Sequence, residues 1–237
     1  MKRLRAALPL IALVATGIAL FASGAFNNLS PEQLANSHGH LQQTIAQYPW
    51  ISRLAYVGLL AMVVATGIPA SVVITVAGGL LFGILQGTAL STVGVLLGSW
   101  LLFFATRMAL GKERHKAPAL VERLRHGYAH HPGNYTLFLR LAPGLPWGGV
   151  TVALAWLRCP LKLFSGATAL GALVMSVIES AIGTGIREGL ARGQHHFDLM
   201  AMLFNPYIVL PLVALALLAL LPLLFGHLHR PPGPPPS

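Results

Sequence analysis

The chain has 237 residues, of which 55% are hydrophobic and only 9% charged, and its formal net charge at pH 7 is +10. Soluble domains usually devote about a quarter of their residues to charge, so this composition, with a mean hydropathy of +0.68, predicts an integral membrane protein. The basic residues lie mostly beside apolar runs, where they orient a protein in the bilayer, and nucleic-acid binding is not expected.

Apolar runs long enough to cross a bilayer, without the alternation of barrel strands, predict an all-α fold. We expect about four full transmembrane helices and two opposed re-entrant helical hairpins related as an inverted repeat. Five segments follow from this pattern: a first transmembrane helix at 1–26, an outer polar and amphipathic segment at 27–52, a core with both hairpins at 53–190, an outer loop with the last transmembrane helix at 191–229, and a disordered proline-rich tail at 230–237.

The first segment, MKRLRAALPLIALVATGIALFASGAF, also fits a cleaved signal peptide, because a basic start, an apolar run and small residues at 22–24 follow one another. Its apolar run is longer than the usual ~7–15 residues of a signal peptide, which favours an uncleaved helix. Lysines and arginines before this helix and in the loop after residue 110 place both on the cytoplasmic side. The same path leaves the carboxyl terminus in the cytoplasm.

The apolar run at 54–110 is too long for one crossing and contains a break in ATGIPASV. Gly67 and Pro69 interrupt the helix there, since proline cannot donate a backbone hydrogen bond. We predict a first hairpin of two half-helices and then a full span, at 54–66, 70–84 and 87–109.

The second half of the chain repeats this plan, because LRLAPGLPWGGV breaks at Pro143, Gly144 and Pro146. Gly67 and Gly144 stand 77 residues apart (144 − 67 = 77), and each opens a broken apolar segment. Two broken segments at corresponding positions indicate an inverted repeat with a site between its halves. Full spans are predicted to follow at 163–186 and 206–226.

Small residues recur every three or four positions in the span at 87–109, where Gly87, Gly94 and Gly98 give one smooth helix face. Helices in lipid pack closely through such residues, so we expect a hairpin to lie against this face. Further small residues occur in the first hairpin and in the later span, at Gly78, Gly79, Gly83, Gly166, Ala169, Gly171, Ala172 and Ser176. Ordinary helix packing without a transport function is the alternative interpretation.

The stretches GIPASVVITVAGGLLFG, FFATRMALG and FLRLAPGLPWGGVTVALAWLRCPLKLFSGATALG follow one another in an order that resembles the DedA superfamily. These proteins are also called SNARE-associated or VTT-domain proteins, and the resemblance is to their Tvp-like branch over roughly residues 53–190. The resemblance implies two opposed re-entrant hairpins, a bacterial inner-membrane location, and movement of lipids or polyprenyl-phosphate carriers across the bilayer. Eukaryotic relatives are regarded as phospholipid scramblases.

Two arginines match the pattern of this family: Arg107 ends the central span and Arg140 opens the second hairpin. Two other positions depart from it, since Ser71 stands where the DedA branch proper has a glutamate, and Pro146 where it has a second arginine. The resemblance therefore does not transfer to this chain the proton coupling and head-group binding that those two groups are thought to serve.

Arg140, Arg107 and Glu179 are the candidate head-group residues. A guanidinium at the membrane can hold a phosphate through paired hydrogen bonds, and the alternative for both arginines is an interfacial anchor. Glu179 is the only acid inside a predicted span, and an ionisable group at that depth is costly and by default functional. Pairing with an arginine, proton exchange and contact with interfacial water are the roles open to it.

Patterns of catalytic residues are absent from the sequence, which has neither a Gly-Lys-Ser phosphate loop nor a Gly-x-Ser-x-Gly elbow nor a pair of catalytic carboxylates. The histidines of HGYAHH and GQHHF have no carboxylate or thiolate at matching spacing. We therefore expect no enzymatic activity, no metal and no cofactor. The expected partners are membrane lipids, including anionic or polyprenyl-phosphate lipids, and a homo-oligomer is left open.

The sequence thus favours a scramblase-like or flippase-like transporter whose proline-broken hairpins meet near the midplane and open a polar path for a lipid head group. Proton-coupled transport of a small solute, with Glu179 as the coupling acid, is one alternative. A membrane scaffold or assembly protein that transports nothing is the other.

Overall fold

The computed structural model describes residues 9–13, 15, 16, 19, 41–67, 70–110, 119–142 and 145–191. Throughout these ranges the chain forms helices joined by short turns, with no strand, which confirms the all-α prediction for this part of the protein. The described residues leave out most of the predicted first transmembrane helix. They also leave out the last transmembrane helix, the outer loop before it and the tail. So do Pro69, Pro143 and Gly144.

The helices are labelled here in chain order as α1 (Pro49–Thr66), α2 (Ser71–Leu110), α3 (Ala119–His130), α4 (Pro132–Leu141), α5 (Trp147–Trp156) and α6 (Leu161–Ala191). A short helical segment at 41–47 precedes α1. Within the described ranges, three helices are long and apolar enough to cross a membrane: α1, α2 and α6. By length and apolar composition, these three helices can therefore cross a bilayer.

The ends of α1 follow from its sequence. Pro49 lies in the first turn, where its fixed φ suits a helix and its missing N–H has no helical partner to lose. At the other end Gly67 adopts a φ of 76°, and its N–H donates to the Val64 carbonyl at 3.1 Å. The helix thus ends where the sequence predicts, although it begins at Pro49 rather than at residue 54.

A reversal at Gly83 divides α2 into two arms, residues 71–82 and 84–110. Gly83 has φ 79° and ψ 176°, a backbone conformation that essentially only glycine adopts. A Cβ on Gly87 would lie 2.9 Å from the Gly78 carbonyl oxygen, whereas nine residues of straight helix would separate the two by about 13–14 Å. The arms therefore run antiparallel, and the predicted boundary between a half-helix ending near 84 and a longer helix beginning near 87 is confirmed.

Replacing Gly83 by alanine is expected to lower the free energy of unfolding by about 1–3 kcal/mol, because a side chain is strained at this φ and ψ. Denaturation in detergent micelles measures the effect. Gly58→Ala is the matched control, since no heavy atom of the described residues would lie within 4 Å of its Cβ, and we expect it to stabilise α1 by up to about 1 kcal/mol. Equal effects of the two substitutions would contradict the reversal at Gly83.

The smooth glycine face of the second arm packs against α1, as predicted. A Cβ on Gly94 would lie 3.0 Å from the Leu60 side chain, and one on Gly98 would overlap the Ala61 carbonyl oxygen. The Tyr56 hydroxyl donates to the Ile74 carbonyl at 3.2 Å and lies 2.6 Å from Ser91 Oγ, so it joins α1 to both arms of α2. In the later span, a Cβ on Gly166 would meet no heavy atom of the described residues within 4 Å.

The second break separates α4 from α5, and it meets the first. A Cβ on Gly148, in the first turn of α5, would lie 2.7 Å from Gly67 Cα. Aromatic and aliphatic side chains of α2, α5 and α6 fill the space beside this contact, among them Phe103, Leu154 and Phe164. The ends of two interrupted helical segments thus touch inside the protein, with α6 packed along both.

Candidate functional site

A cavity of about 260 Å³ lies where the two helix breaks face α6. A single water needs only about 10–15 Å³ of such volume, so the cavity has room for a polar group of several atoms. Its walls come from Gly67, which follows α1, and from α2, α4, α5 and α6, and its polar lining residues are Ser71, Thr75, Arg140, Ser176 and Glu179. The structure therefore brings two of the three predicted head-group residues to one site.

Arg140 lies in the last turn of α4 and is only 2% exposed. Its Nη2 donates to Thr151 Oγ1 at 3.1 Å and its Nη1 lies 3.5 Å from the Trp147 carbonyl oxygen. Its Nε is buried without a hydrogen-bond partner in the described part of the chain. This burial does not fit an interfacial anchor, which would place its guanidinium in water or among head groups.

Two aromatic rings flank the guanidinium of Arg140. Its Cζ lies 4.4 Å from the ring centre of Trp147 and 5.0 Å from that of Phe164. Aromatic faces attract a cation but leave its charge uncompensated. Among the described residues Arg140 has no ion pair with a carboxylate, and the contacts that hold it are neutral. The guanidinium is therefore held by two aromatic rings and a hydroxyl, and of these partners Trp147 also lines the cavity.

Trp147 fixes this arrangement to the rest of the protein. Its indole N–H donates to Ser99 Oγ on the second arm of α2 at 2.9 Å, and its carbonyl accepts from Thr151 Oγ1 at 2.9 Å. A Cβ on Gly171 would lie 3.1 Å from the Arg140 Cβ and 3.4 Å from the Trp147 ring. Gly171 therefore leaves the space that the arginine and the indole occupy.

Ser99→Ala is expected to lower the free energy of unfolding by about 1 kcal/mol, because it leaves the indole N–H of Trp147 without its hydrogen-bond acceptor. In a Trp147→Phe background the same Ser99→Ala change should cost less, because the donor is already gone. A double-mutant cycle in detergent measures this coupling, and a coupling of zero would contradict the bond.

Glu179 enters the cavity from α6 on the side of the first arm of α2. Thr75, which lines the cavity with it, donates its hydroxyl to the Ser71 carbonyl at 3.0 Å. An acid thus reaches the cavity although the residue after the first break, Ser71, carries no charge.

Two helix N-termini also face the cavity. The first turns of α2 and α5 contribute the lining residues Ser71 and Trp147. No side chain caps the N-terminus of α5, whose preceding residue is Pro146. The unpaired amides at such ends carry a partial positive charge that adds to the guanidinium of Arg140.

Arg107 is not among the cavity residues. Its Nη2 donates to the Cys159 carbonyl at 2.8 Å, and its Cζ lies 5.0 Å from the Phe103 ring centre. It ties the end of α2 to the turn before α6, which fits the anchoring alternative better than contact with a head group in this cavity.

The residues predicted to shape the hairpins fall in three places. Gly67 and Pro146 line the cavity, and Gly83 forms the reversal in α2. Gly78 packs under the Tyr56 hydroxyl and Gly79 against the Ser180 backbone. These small residues therefore allow close packing of the helices as well as turns of the chain.

The sequence reasoning missed the residues that hold Arg140: Trp147, Thr151 and Phe164. Trp147 follows Pro146 within a stretch already identified as a break, but no pattern distinguished it from an interfacial tryptophan. Thr151 is one turn after Trp147 in α5, a spacing that could have placed it on the same face. Phe164 lies in another helix, and no local signal joins it to Arg140.

The fold and the cavity define a helical membrane protein whose charged site lies between two interrupted helical segments. A comparison with known protein families matches residues 68–185, about half of the chain, to the VTT domain. The chain therefore belongs to the VTT-domain, or DedA, superfamily, as the resemblance predicted. The match does not separate the branches of the superfamily, so the Tvp-like branch stays a prediction. Neither the curated proteins nor the solved structures contain a significant match to the chain.

Proposed function

We propose that this protein moves lipid head groups across the bilayer through the cavity between its helix breaks, as a scramblase-like or flippase-like transporter. The observation that carries the proposal is Arg140, a residue of the cavity lining whose guanidinium is buried and held by neutral partners. Burying an unpaired cation is costly, so such a group attracts an anion, and the described part of the chain supplies none in contact with it. A lipid phosphate is the anion that a bilayer offers in quantity.

The electrostatics of the helix ends support an anionic ligand. The first turns of α2 and α5, whose amides carry a partial positive charge, contribute lining residues to the same cavity as Arg140. Helix ends of this kind bind phosphate and carboxylate groups in many proteins. A phosphate in the cavity would therefore be attracted by these helix ends and by Arg140, and repelled by the carboxylate of Glu179.

The lengths of α4 and α5 support a second hairpin that enters and leaves on the same side of the membrane, whereas α1, with 18 residues, is long enough to cross the bilayer. α4 and α5 have ten residues each, about 15 Å, which is half of a hydrocarbon core of about 30 Å. The first arm of α2 is similarly short. In this proposal the head group passes between the touching ends at Gly67 and Gly148, while the acyl tails stay in hydrocarbon.

The proposal includes the bacterial inner membrane as the location and cytoplasmic amino and carboxyl termini, on the charge pattern of the loops. Membrane lipids, among them anionic or polyprenyl-phosphate lipids, are the proposed partners. Translocation of this kind makes and breaks no covalent bond, so the function is not enzymatic.

The presence of Glu179 in the same cavity favours proton-coupled transport of a small solute as a second candidate function. A dependence of flux on an imposed proton gradient, with no movement of lipid, would favour it. Retention of cellular function when Arg140 and Glu179 are both replaced by alanine would instead favour a scaffold protein that transports nothing.

The test is lipid translocation by the purified full chain in liposomes. A phospholipid labelled on its acyl chain is distributed over both leaflets, and dithionite then quenches the label that reaches the outer leaflet. We expect quenching to exceed that of empty liposomes in proportion to the amount of protein. Quenching equal to that of empty liposomes, with the protein shown to be folded and inserted, would contradict general lipid translocation.

A further inference from the structure

The two helix breaks meet backbone to backbone. A Cβ on Gly148 would lie 2.7 Å from the Gly67 Cα and 2.9 Å from the Gly67 carbonyl oxygen, and both glycines line the cavity. Two backbones that approach this closely leave no space between them for a water molecule, and still less for a head group. The contact between Gly67 and Gly148 therefore closes the cavity at the point where the two breaks meet.

One turn of the second arm of α2 supports both breaks. A Cβ on Gly98 would overlap the Ala61 carbonyl oxygen and lie 2.7 Å from the Val64 Cβ, so the last turns of α1 pack closely on this arm. The next residue, Ser99, is buried and accepts the 2.9 Å hydrogen bond from the Trp147 indole N–H. Neighbouring residues thus hold the end of α1 by packing and the beginning of α5 by a hydrogen bond.

The contact between the breaks has no hydrogen bond of its own. Among the described residues, none joins α1 or Gly67 to α5. Gly148 directly follows Trp147 in α5, so it cannot move away from Gly67 without stretching the indole–hydroxyl bond, while α1 stays packed on the same turn of α2. The bond from Trp147 to Ser99 therefore holds the two breaks in contact.

We infer that the contact of Gly67 with Gly148 is a gate, and that the hydrogen bond from Trp147 to Ser99 holds this gate closed. The inference rests on the proposed function and adds the regulation of its path. When the gate opens, the first turn of α5 moves away from Gly67 and a head group passes between the breaks. The bond favours the closed state, because opening the gate breaks it. Ser99 does not line the cavity, so it is a positioning residue that sets how often the path opens.

A second indole–hydroxyl bond in the same protein provides a matched control. The Trp100 indole N–H donates to Ser165 Oγ at 2.9 Å and joins the same arm of α2 to α6. Donor, acceptor and length match those of the bond from Trp147 to Ser99, yet neither Trp100 nor Ser165 lines the cavity. Loss of either bond should therefore destabilise the protein to a similar extent, whereas only loss of the bond at Trp147 should open the gate.

The experiment measures lipid translocation by the unaltered full chain, Ser99→Ala and Ser165→Ala in liposomes, with a trapped soluble dye to show that dithionite does not leak in. We expect Ser99→Ala to raise the rate about fivefold, the factor that one neutral hydrogen bond contributes to an equilibrium. Ser165→Ala should not raise the rate, although both variants should lower the melting temperature by a similar amount. An unchanged or lower rate in folded Ser99→Ala, or an equal rise in Ser165→Ala, would overturn the inference.

Trp147→Phe tests the same bond from its other end. Phenylalanine removes the indole N–H and keeps an aromatic ring beside Arg140. We expect a rise similar to that of Ser99→Ala, and the double variant should be no faster than either single variant, because both changes remove one and the same bond. Two rises that multiply in the double variant would show that the residues act separately, which would also overturn the inference.

The reactivity of a thiol in the cavity tests the gate without lipid movement. Ser176 lines the cavity and is 1% exposed, so the thiol of Ser176→Cys should react with a water-soluble maleimide mainly when the gate is open. The native Cys159 is 0% exposed, and the unaltered protein gives its background labelling. We expect Ser99→Ala to speed the labelling about fivefold and Ser165→Ala to leave it unchanged.

The two readouts separate this inference from the proposed function. Labelling at the same rate with and without Ser99→Ala would overturn the gate, whatever the lipid does. Faster labelling in Ser99→Ala alone, without lipid movement by any variant, would support the gate and contradict the proposed function.

Discussion

Arg140→Met is expected to lower lipid translocation by about 10- to 100-fold while the protein remains at least as stable as before. The loss follows from the charge-assisted hydrogen bonds that a guanidinium makes to a phosphate, each worth about 1.5–3 kcal/mol. Methionine fills much of the same volume without a charge. Because Arg140 is buried without a carboxylate partner among the described residues, its replacement also removes a desolvation cost.

The two readouts of this prediction move in opposite directions, which separates function from folding. Translocation is measured in liposomes, and stability as the melting temperature in detergent. Arg125→Met is the matched control, because Arg125 lies on the surface of α3 in a 3.0 Å ion pair with Glu122, a kind of pair that contributes little. It should change neither readout. A fully active Arg140→Met protein would remove the phosphate role from Arg140.

Arg140→Lys refines the same prediction. Lysine keeps the positive charge but loses the planar fork that binds a phosphate through two parallel bonds and lies flat between the rings of Trp147 and Phe164. We expect an intermediate translocation rate, between those of the unaltered protein and Arg140→Met. A rate as low as that of Arg140→Met would show that the planar shape matters more than the charge.

Gly183→Ala is expected to have the largest effect on stability, about 3 kcal/mol, at the upper end of the usual cost of overpacking. A Cβ at this position would overlap the Val76 carbonyl oxygen and lie 2.6 Å from the Leu80 backbone nitrogen. Backbone atoms cannot turn aside as a side chain does, so α6 would have to move away from the first arm of α2. That movement would also break the bond from Thr184 Oγ1 to the Gly79 carbonyl, 3.2 Å long.

Gly166→Ala is the matched control on the same helix, since within the described ranges its Cβ would meet no heavy atom closer than 4 Å. Alanine favours a helix over glycine by up to about 1 kcal/mol, so this substitution should be neutral or stabilising. Titration with SDS in mixed micelles measures both free energies of unfolding. Similar values for the two variants would contradict the close contact between α6 and α2. Because Glu179 lies one turn before Gly183, we also expect Gly183→Ala to reduce translocation.

The positions of the helix breaks were predictable because they depend on local chemistry. Glycine and proline interrupt a helix whatever surrounds it, so the ends at Gly67 and before Trp147 could be placed to within a few residues. The beginning of α1 was misplaced, because Pro49 starts a helix within a segment that composition alone assigned to a polar outer region. The spacing of the glycines likewise predicted the small face of the second arm of α2. The sequence did not predict that, within the described residues, Gly166 has no neighbour at its Cβ.

The sequence predicted only some of the residues that form the cavity site. Arg140 and Glu179 could be singled out because a charge inside an apolar run is costly wherever it points. Arg107 satisfied the same criterion, yet the structure places it on the Cys159 carbonyl, away from the cavity residues. The difference lies in which helices pack beside each arginine, and this depends on residues distant in sequence.

By itself, the sequence determined that this protein is a helical membrane protein. It also determined where the helices break and which few charged residues lie within apolar segments. These properties depend on composition and on neighbours along the chain. The tertiary structure alone decided that the breaks at Gly67 and Gly148 touch, that Trp147 and Phe164 enclose Arg140, and that Glu179 faces the same cavity without reaching the guanidinium. Those contacts join residues far apart in sequence, and only the packing of α6 against both breaks brings them together.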